Sequence, residues 1–126
     1  MQLSDTLKIA ASGMKAQGDR LRVVAENIAN ADSTSATPGG EPYRRKVVMF
    51  QNVLDRELGI ESVKVVKRTH DQSDFKKKFD PSHPAADEQG YVLYPNVNTI
   101  VEMMDMREAR RGYEANLNMI EISKAM

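Results

Sequence analysis

The chain of 126 residues has no cysteine and no tryptophan, and only three Phe, four Tyr and two His. Without cysteine, disulfides, thiol catalysis and cysteine-based metal sites are excluded. Charge of one sign is also missing: eighteen Lys and Arg balance eighteen Asp and Glu, for a formal net charge of zero. Neither a nucleic acid nor an anionic membrane is therefore favoured as the main partner. No segment approaches the roughly 20 apolar residues that span a bilayer, so no direct membrane insertion is expected. Met1 to Ala11 has one Lys and no apolar core of signal-peptide length, so the expectation is a chain without a cleaved signal. Composition alone does not choose between a protein that stays in the cytoplasm and one exported by another route.

What is present is helical period. Leu7, Met14, Leu21 and Ile28 form one row spaced by seven, and Leu3, Ala10, Gln17 and Val24 form a second in which only Gln17 is polar. The pattern predicts a long amphipathic helix from Leu3 to Ile28, about 40 Å at about 1.5 Å per residue. Ala11, Gly18 and Ala25 lie beside the rows, small enough for another helix to approach closely. The run stops in "NIANADST", where Asn27 and Asn30 are placed to bond backbone groups at a helix end. Residues 30 to 44 read as loop, with Ser, Thr, Pro and Gly-Gly in close succession.

The middle reads as small and β-rich. "RKVVMFQNVL" is a strand or a short helix, "SVKVVKRT" a strand, and "YVLYP" a shorter strand ended by Pro95. "FKKKFDPSHPAADEQG" is expected as an extended connection. Helical period returns after Asn96, with Asn98 or Thr99 as cap and Glu102 at capping-box spacing from Thr99. Met103, Arg110, Leu117 and Lys124 form one row of this helix and Met106, Tyr113 and Ile120 another, with Ala109 and Asn116 alongside. The layout is thus an N-terminal helix (1–31), a loop and β-rich middle (32–96) and a C-terminal helix (97–126). Two terminal helices carry apolar stripes that the middle can hardly cover, which points to partner chains.

Catalytic chemistry finds little support. His70, Asp71 and Asp74, and Asp80, His83 and Asp87, lack the spacings that converge on a metal, and His83 between Pro81 and Pro84 reads as a turn element. Gly39-Gly40 is too short for a phosphate cradle, and no Ser has a His and Asp framework. No catalytic, cofactor-binding or metal residue is assigned and no cofactor is expected. The triplets Arg44-Arg45-Lys46 and Lys76 to Lys78 read as solvated faces in a chain of zero net charge. Arg107, Arg110 and Arg111 suit either solvation or pairing with a carboxylate on a neighbouring helix. Met14, Met103, Met104 and Met106 read as core or helix interface.

"ASGMKAQGDRLRVVAENIANADST" (11 to 34) resembles the N-terminal signature of the bacterial flagellar axial proteins, the rod, hook and hook-associated family. "PNVNTIVEMMDMREARRGYEANLNMI" is similar to that family's closing helix. "GGEPYRRK" (39 to 46) and "FDPSHPAADEQGYVLYPNV" (79 to 97) resemble its proximal rod members, with a distal rod or hook subunit as the alternative. The resemblance implies a mainly α fold in which the terminal helices form an antiparallel coiled-coil-like pair, with extended loops and short strands between. It implies a structural subunit, not an enzyme, assembling helically into a hollow, torque-transmitting shaft that also lines the export channel. Implied partners are proximal and distal rod subunits, the rod-to-MS-ring adaptor and the flagellar type III export apparatus, in a rod spanning the periplasm. The subunit interface is expected at Leu7, Met14, Leu21, Val24, Asn27, Ile28 and Asn30, and at Met103, Met106, Arg110, Tyr113, Asn116, Leu117 and Ile120.

Overall fold

A computed structural model describes residues 3–55 and 59–125. The chain runs α1 (Leu3–Ala29), β1 (Lys46–Asp55), β2 (Ile60–His70), β3 (Lys76–Phe79), β4 (Tyr91–Tyr94) and α2 (Thr99–Ala125). Two helices of 27 residues each thus flank a small β-rich middle. Among the described residues no helix is long and apolar enough to cross a membrane.

α1 ends as the sequence suggests. Asn30 donates both its backbone N–H (3.1 Å) and its side-chain amide (2.9 Å) to the Glu26 carbonyl, meeting an acceptor that the helix end leaves open. α2 begins on Asn98, whose Oδ1 accepts from the N–H groups of Ile100 and Val101 at 3.1 and 3.4 Å. The box expected from Thr99 and Glu102 does not form, because the Glu102 carboxylate is drawn to Arg45.

β1 and β2 form an antiparallel hairpin from Lys46↔His70 to Asp55↔Ile60, with a register shift between Met49 and Phe50. "KVVMFQNVLD" is therefore strand, settling the choice between strand and short helix. Residues 76–79, expected as part of an extended connection, are a second correction: they form a strand that pairs with β4 from Lys76↔Tyr94 to Phe79↔Tyr91. In this lysine-rich strand Lys76, Lys78 and Phe79 find local partners, while Lys77 is exposed. Lys76 donates to the Val97 carbonyl at 2.8 Å and Lys78 lies 4.7 Å over the Tyr94 ring. Phe79 meets Tyr91 edge-on, with ring centroids 5.4 Å apart. Val92, Ala85, Pro95 and Val97 form the small core beneath.

α1 is packed on two sides. On one, Val63 N–H donates to Ser12 Oγ at 3.2 Å, and Arg68 and Lys46 pair with Asp19 and Glu26 at 3.2 and 2.9 Å, which lays the hairpin along the helix. On the other, Arg20 pairs with Asp105, and two glycines mark close approach to α2. A β-carbon at Gly13 would come within 2.7 Å of the Asn116 amide, and one at Gly112 within 3.1 Å of the Gln17 side chain. The buried stripe of α2 is Glu102, Ala109 and Ser123, with Gly112 and Asn116 half-buried beside it. Small residues rather than the larger apolar row hold this contact, since they let the backbones come near.

Candidate functional site

The residues expected at a subunit interface differ in how far the chain's own packing covers them. Leu7, Met14, Leu21 and Ile28 are half-buried along α1, with Ser4, Ala11 and Ala25 exposed and Gly18 open to at least 4 Å beside them. On α2, Met103, Arg110, Leu117 and Lys124 are all exposed, Met103 by 56% and Leu117 by 37%. Met106, Tyr113 and Ile120 are half-buried. Ile100, Val101, Met104, Met119 and Ile122 add to the exposed apolar side chains on this helix. Of the other residues expected at the interface, Val24 and Asn27 are buried in the chain, 3% and 1% exposed. Asn116 likewise faces α1 at Gly13 and donates to the Gly112 carbonyl at 2.9 Å.

Asn27 is the entry to a polar junction that sequence reading missed. Its Oδ1 accepts from the Tyr43 hydroxyl (2.7 Å) and the Lys46 N–H (2.9 Å), and its Nδ2 donates to the Lys46 carbonyl (2.9 Å). One side chain thereby stitches the end of α1 to the start of β1, using every group it has there. Arg45 then reaches across to Glu102 at the start of α2 and to Asp71 after β2, 3.3 Å away. Asn96 joins the same point, accepting the Arg45 N–H at 2.8 Å and donating to the Asp71 and Ser73 carbonyls at 3.0 and 3.2 Å. Arg44 donates to the Asp71 carbonyl at 2.8 Å and stacks 4.2 Å over Phe75. The Arg44-Arg45-Lys46 triplet, expected as a solvated face, is thus the fastener of the fold; its partners lie too far off in sequence for charge counting to reveal.

The electrostatics follow the geometry. Burial works against the Arg45 charge, but the hydrogen bond and charge of Glu102, with Asp71 behind, hold its pKa above the usual value. Burial pushes the Tyr43 hydroxyl up. The Ser73 backbone N–H first, then its hydroxyl, hold Asp71 below the usual carboxylate range against the effect of burial, with Arg45 adding to the shift. The hydrogen bond from Lys46 does the same for Glu26. Lowered carboxylates mean that the unfolded chain binds more protons in acid, so this stabilisation is full above about pH 5 and fades as pH falls through the lowered values. The urea midpoint is expected to fall as pH drops from about 5 toward about 3, and Asp71→Asn to flatten that fall, with unfolding curves across the range as the check.

Among the described residues no three His, Asp or Glu side chains converge as a metal site. His83 is occupied in a turn, its Nδ1 accepting the Ala85 N–H at 3.0 Å. What the geometry offers among the described residues is an exposed apolar surface on α2 and a hydrogen-bonded junction behind it.

Comparison with known proteins gives this arrangement its class. Residues 7–36 match the family model described as flagella basal body rod protein, and residues 88–126 the one described as flagellar basal body rod FlgEFG protein C-terminal. These two segments coincide with most of α1 and all of α2, so the helices carrying the open face are those of a flagellar basal-body rod protein. The flagellar basal-body rod protein FlgC of Agrobacterium fabrum is 56% identical over 118 residues, which cover 94% of this chain and 85% of that protein. Those of Borreliella burgdorferi and Bacillus subtilis are 40% and 39% identical, covering 100% and 96% of this chain and 93% and 91% of theirs. The chain belongs to the FlgC family of flagellar basal-body rod proteins, which are structural and not enzymes.

Proposed function

We propose that this structural rod subunit assembles helically, with copies of itself and with proximal and distal rod proteins, into a hollow shaft of the flagellar basal body. The shaft transmits torque by passive stiffness and lines the export channel. Residues 1–31 and 97–126 form its tube and residues 32–96 brace it. In this reading α1 and α2 are an antiparallel coiled-coil-like pair. The order of their contacts supports it: Gly13 with Asn116, Gln17 with Gly112 and Arg20 with Asp105 descend along α2 as they ascend along α1. The rod-to-MS-ring adaptor and the type III export apparatus are the further partners, and the export apparatus delivers the chain to a periplasm-spanning rod.

The observation that carries the proposal is the open apolar surface on both helices, with Leu7, Met14, Leu21, Ile28, Met103, Met106, Leu117 and Ile120 as its rows. One chain cannot bury them, and a contact between different faces of successive subunits extends into an open helical assembly. Asn30 and Arg110 stand at its polar margin. The test is Leu117→Lys, at an exposed position. It is expected to leave the melting temperature within about 2 °C of the unmodified chain, since surface changes stay within about 0.5 kcal/mol, yet to remove the chain from purified basal bodies. Unaltered incorporation would refute the assignment.

A further inference from the structure

We propose that the groove between α1 and β2 receives the acidic loop end of a second copy of this chain, a contact that rests on the rod-subunit reading. Two adjoining depressions of about 400 and 390 Å³ run along this seam and share Arg68. Arg22 and Lys46 line the first, Lys15 and Lys64 the second. Against these five cations stand two carboxylates among the described lining residues, and both are engaged. Asp19 bonds Arg68 and Arg22 at 3.2 and 3.4 Å, and Glu26 bonds Lys46 at 2.9 Å. A surplus of three positive charges remains, and Lys15 and Lys64 are exposed without an ion-pair partner among the described residues.

The complement lies on another part of the same molecule. Residues 32–41 and 80–90 hold Asp32, Glu41, Asp80, Asp87 and Glu88 and no Lys or Arg. The two loops are joined where Gly39 N–H donates to the Ala85 carbonyl at 3.1 Å. Asp80 and Asp87 are used in their own turns, accepting from Ser82 Oγ and from the Gln89 and Tyr91 N–H groups at 2.9 Å. Asp32, Glu41 and Glu88 are exposed and bond nothing among the described residues. Three free carboxylates thus match three surplus cations. Groove and loop end are different surfaces, so the contact is heterologous and repeats from copy to copy, as an open rod requires. Its charges set register and exclude wrong neighbours more than they add affinity.

The cysteine-free chain allows a direct test. Lys64→Cys with Glu88→Cys, expressed in cells lacking the unmodified protein, is expected to give crosslinked dimers and larger ladders in basal bodies under a mild thiol oxidant, and each single substitution none. Lys15→Glu with Lys64→Glu is expected to lower incorporation at least about tenfold, and Glu41→Lys with Glu88→Lys in the same chain to restore it. Absence of crosslinks in flagellated cells, wild-type incorporation of the groove variant, or failure of the charge swap to restore would each overturn this contact. Exclusion of Leu117→Lys from the rod in the same strains would leave the rod reading standing, so the two failures are distinguishable.

Discussion

A carboxylate introduced at Leu21 or Tyr113 is expected to remove the chain from the rod while leaving its secretion largely intact. Both side chains are half-buried in the single chain, Leu21 in the apolar row of α1 and Tyr113 in that of α2. In the free chain a new Asp keeps part of its hydration and costs a modest amount of helix propensity, about 0.5 kcal/mol. Once a neighbouring helix covers the row, the same charge loses its water without gaining a partner. That costs several kcal/mol per site, repeated at every copy. In the export proposed above each chain is handled singly, and this penalty would not arise. The check is paired: the variant measured in the secreted fraction and in purified basal bodies, with a melting curve to show that it still folds. Motile cells with complete rods would contradict the interface.

The second large effect lies inside the molecule. Arg45→Ala is expected to cost the folded chain about 3–5 kcal/mol, because it strands the Glu102 carboxylate in a buried site. Glu102 is 1% exposed and its Oε2 has no hydrogen-bond donor among the described residues, so Arg45 is its main support. A loss of that size is a large fraction of the 5–15 kcal/mol that ordinarily separates folded from unfolded chains. Arg45→Lys is expected to lose part of it, since an ammonium cannot reproduce the fork that meets Glu102 and Asp71 together. Replacing both partners by apolar residues, Arg45→Met with Glu102→Leu, should recover most of the loss. Urea unfolding of the four chains checks this; a cost below about 1 kcal/mol for Arg45→Ala would mean that the junction is decoration.

The helices were legible because two rows, each of four positions spaced by seven, leave little else for α1 to be. Their ends were legible too, through Asn30 and Asn98. Which residues face the partner helix was not. Large apolar side chains announce a face that wants cover, whereas the internal contact is made by Ala10, Gly13, Ala109 and Gly112, whose smallness matters only once two backbones are near. β3 escaped notice because three lysines in four residues carry no alternation, and its pairing comes from Tyr91–Tyr94, a dozen residues on. The junction was hidden by distance along the chain: Arg45 and Glu102 are 57 residues apart. Its one local clue was Asn27, a polar side chain at a position in α1 that turns inward. Read as a helix terminator, Asn27 instead joins α1 to β1, and the stop falls to Asn30 three residues later.

The central claim is that the apolar rows of α1 and α2 are covered by neighbouring subunits. A density map of the assembled basal body, at a resolution that places side chains, tests it most directly. The account predicts a helix of an adjacent subunit lying along Leu7, Met14, Leu21 and Ile28, close enough to touch Gly18, with Met103 and Leu117 also buried. A rod in which those rows face open water would contradict it.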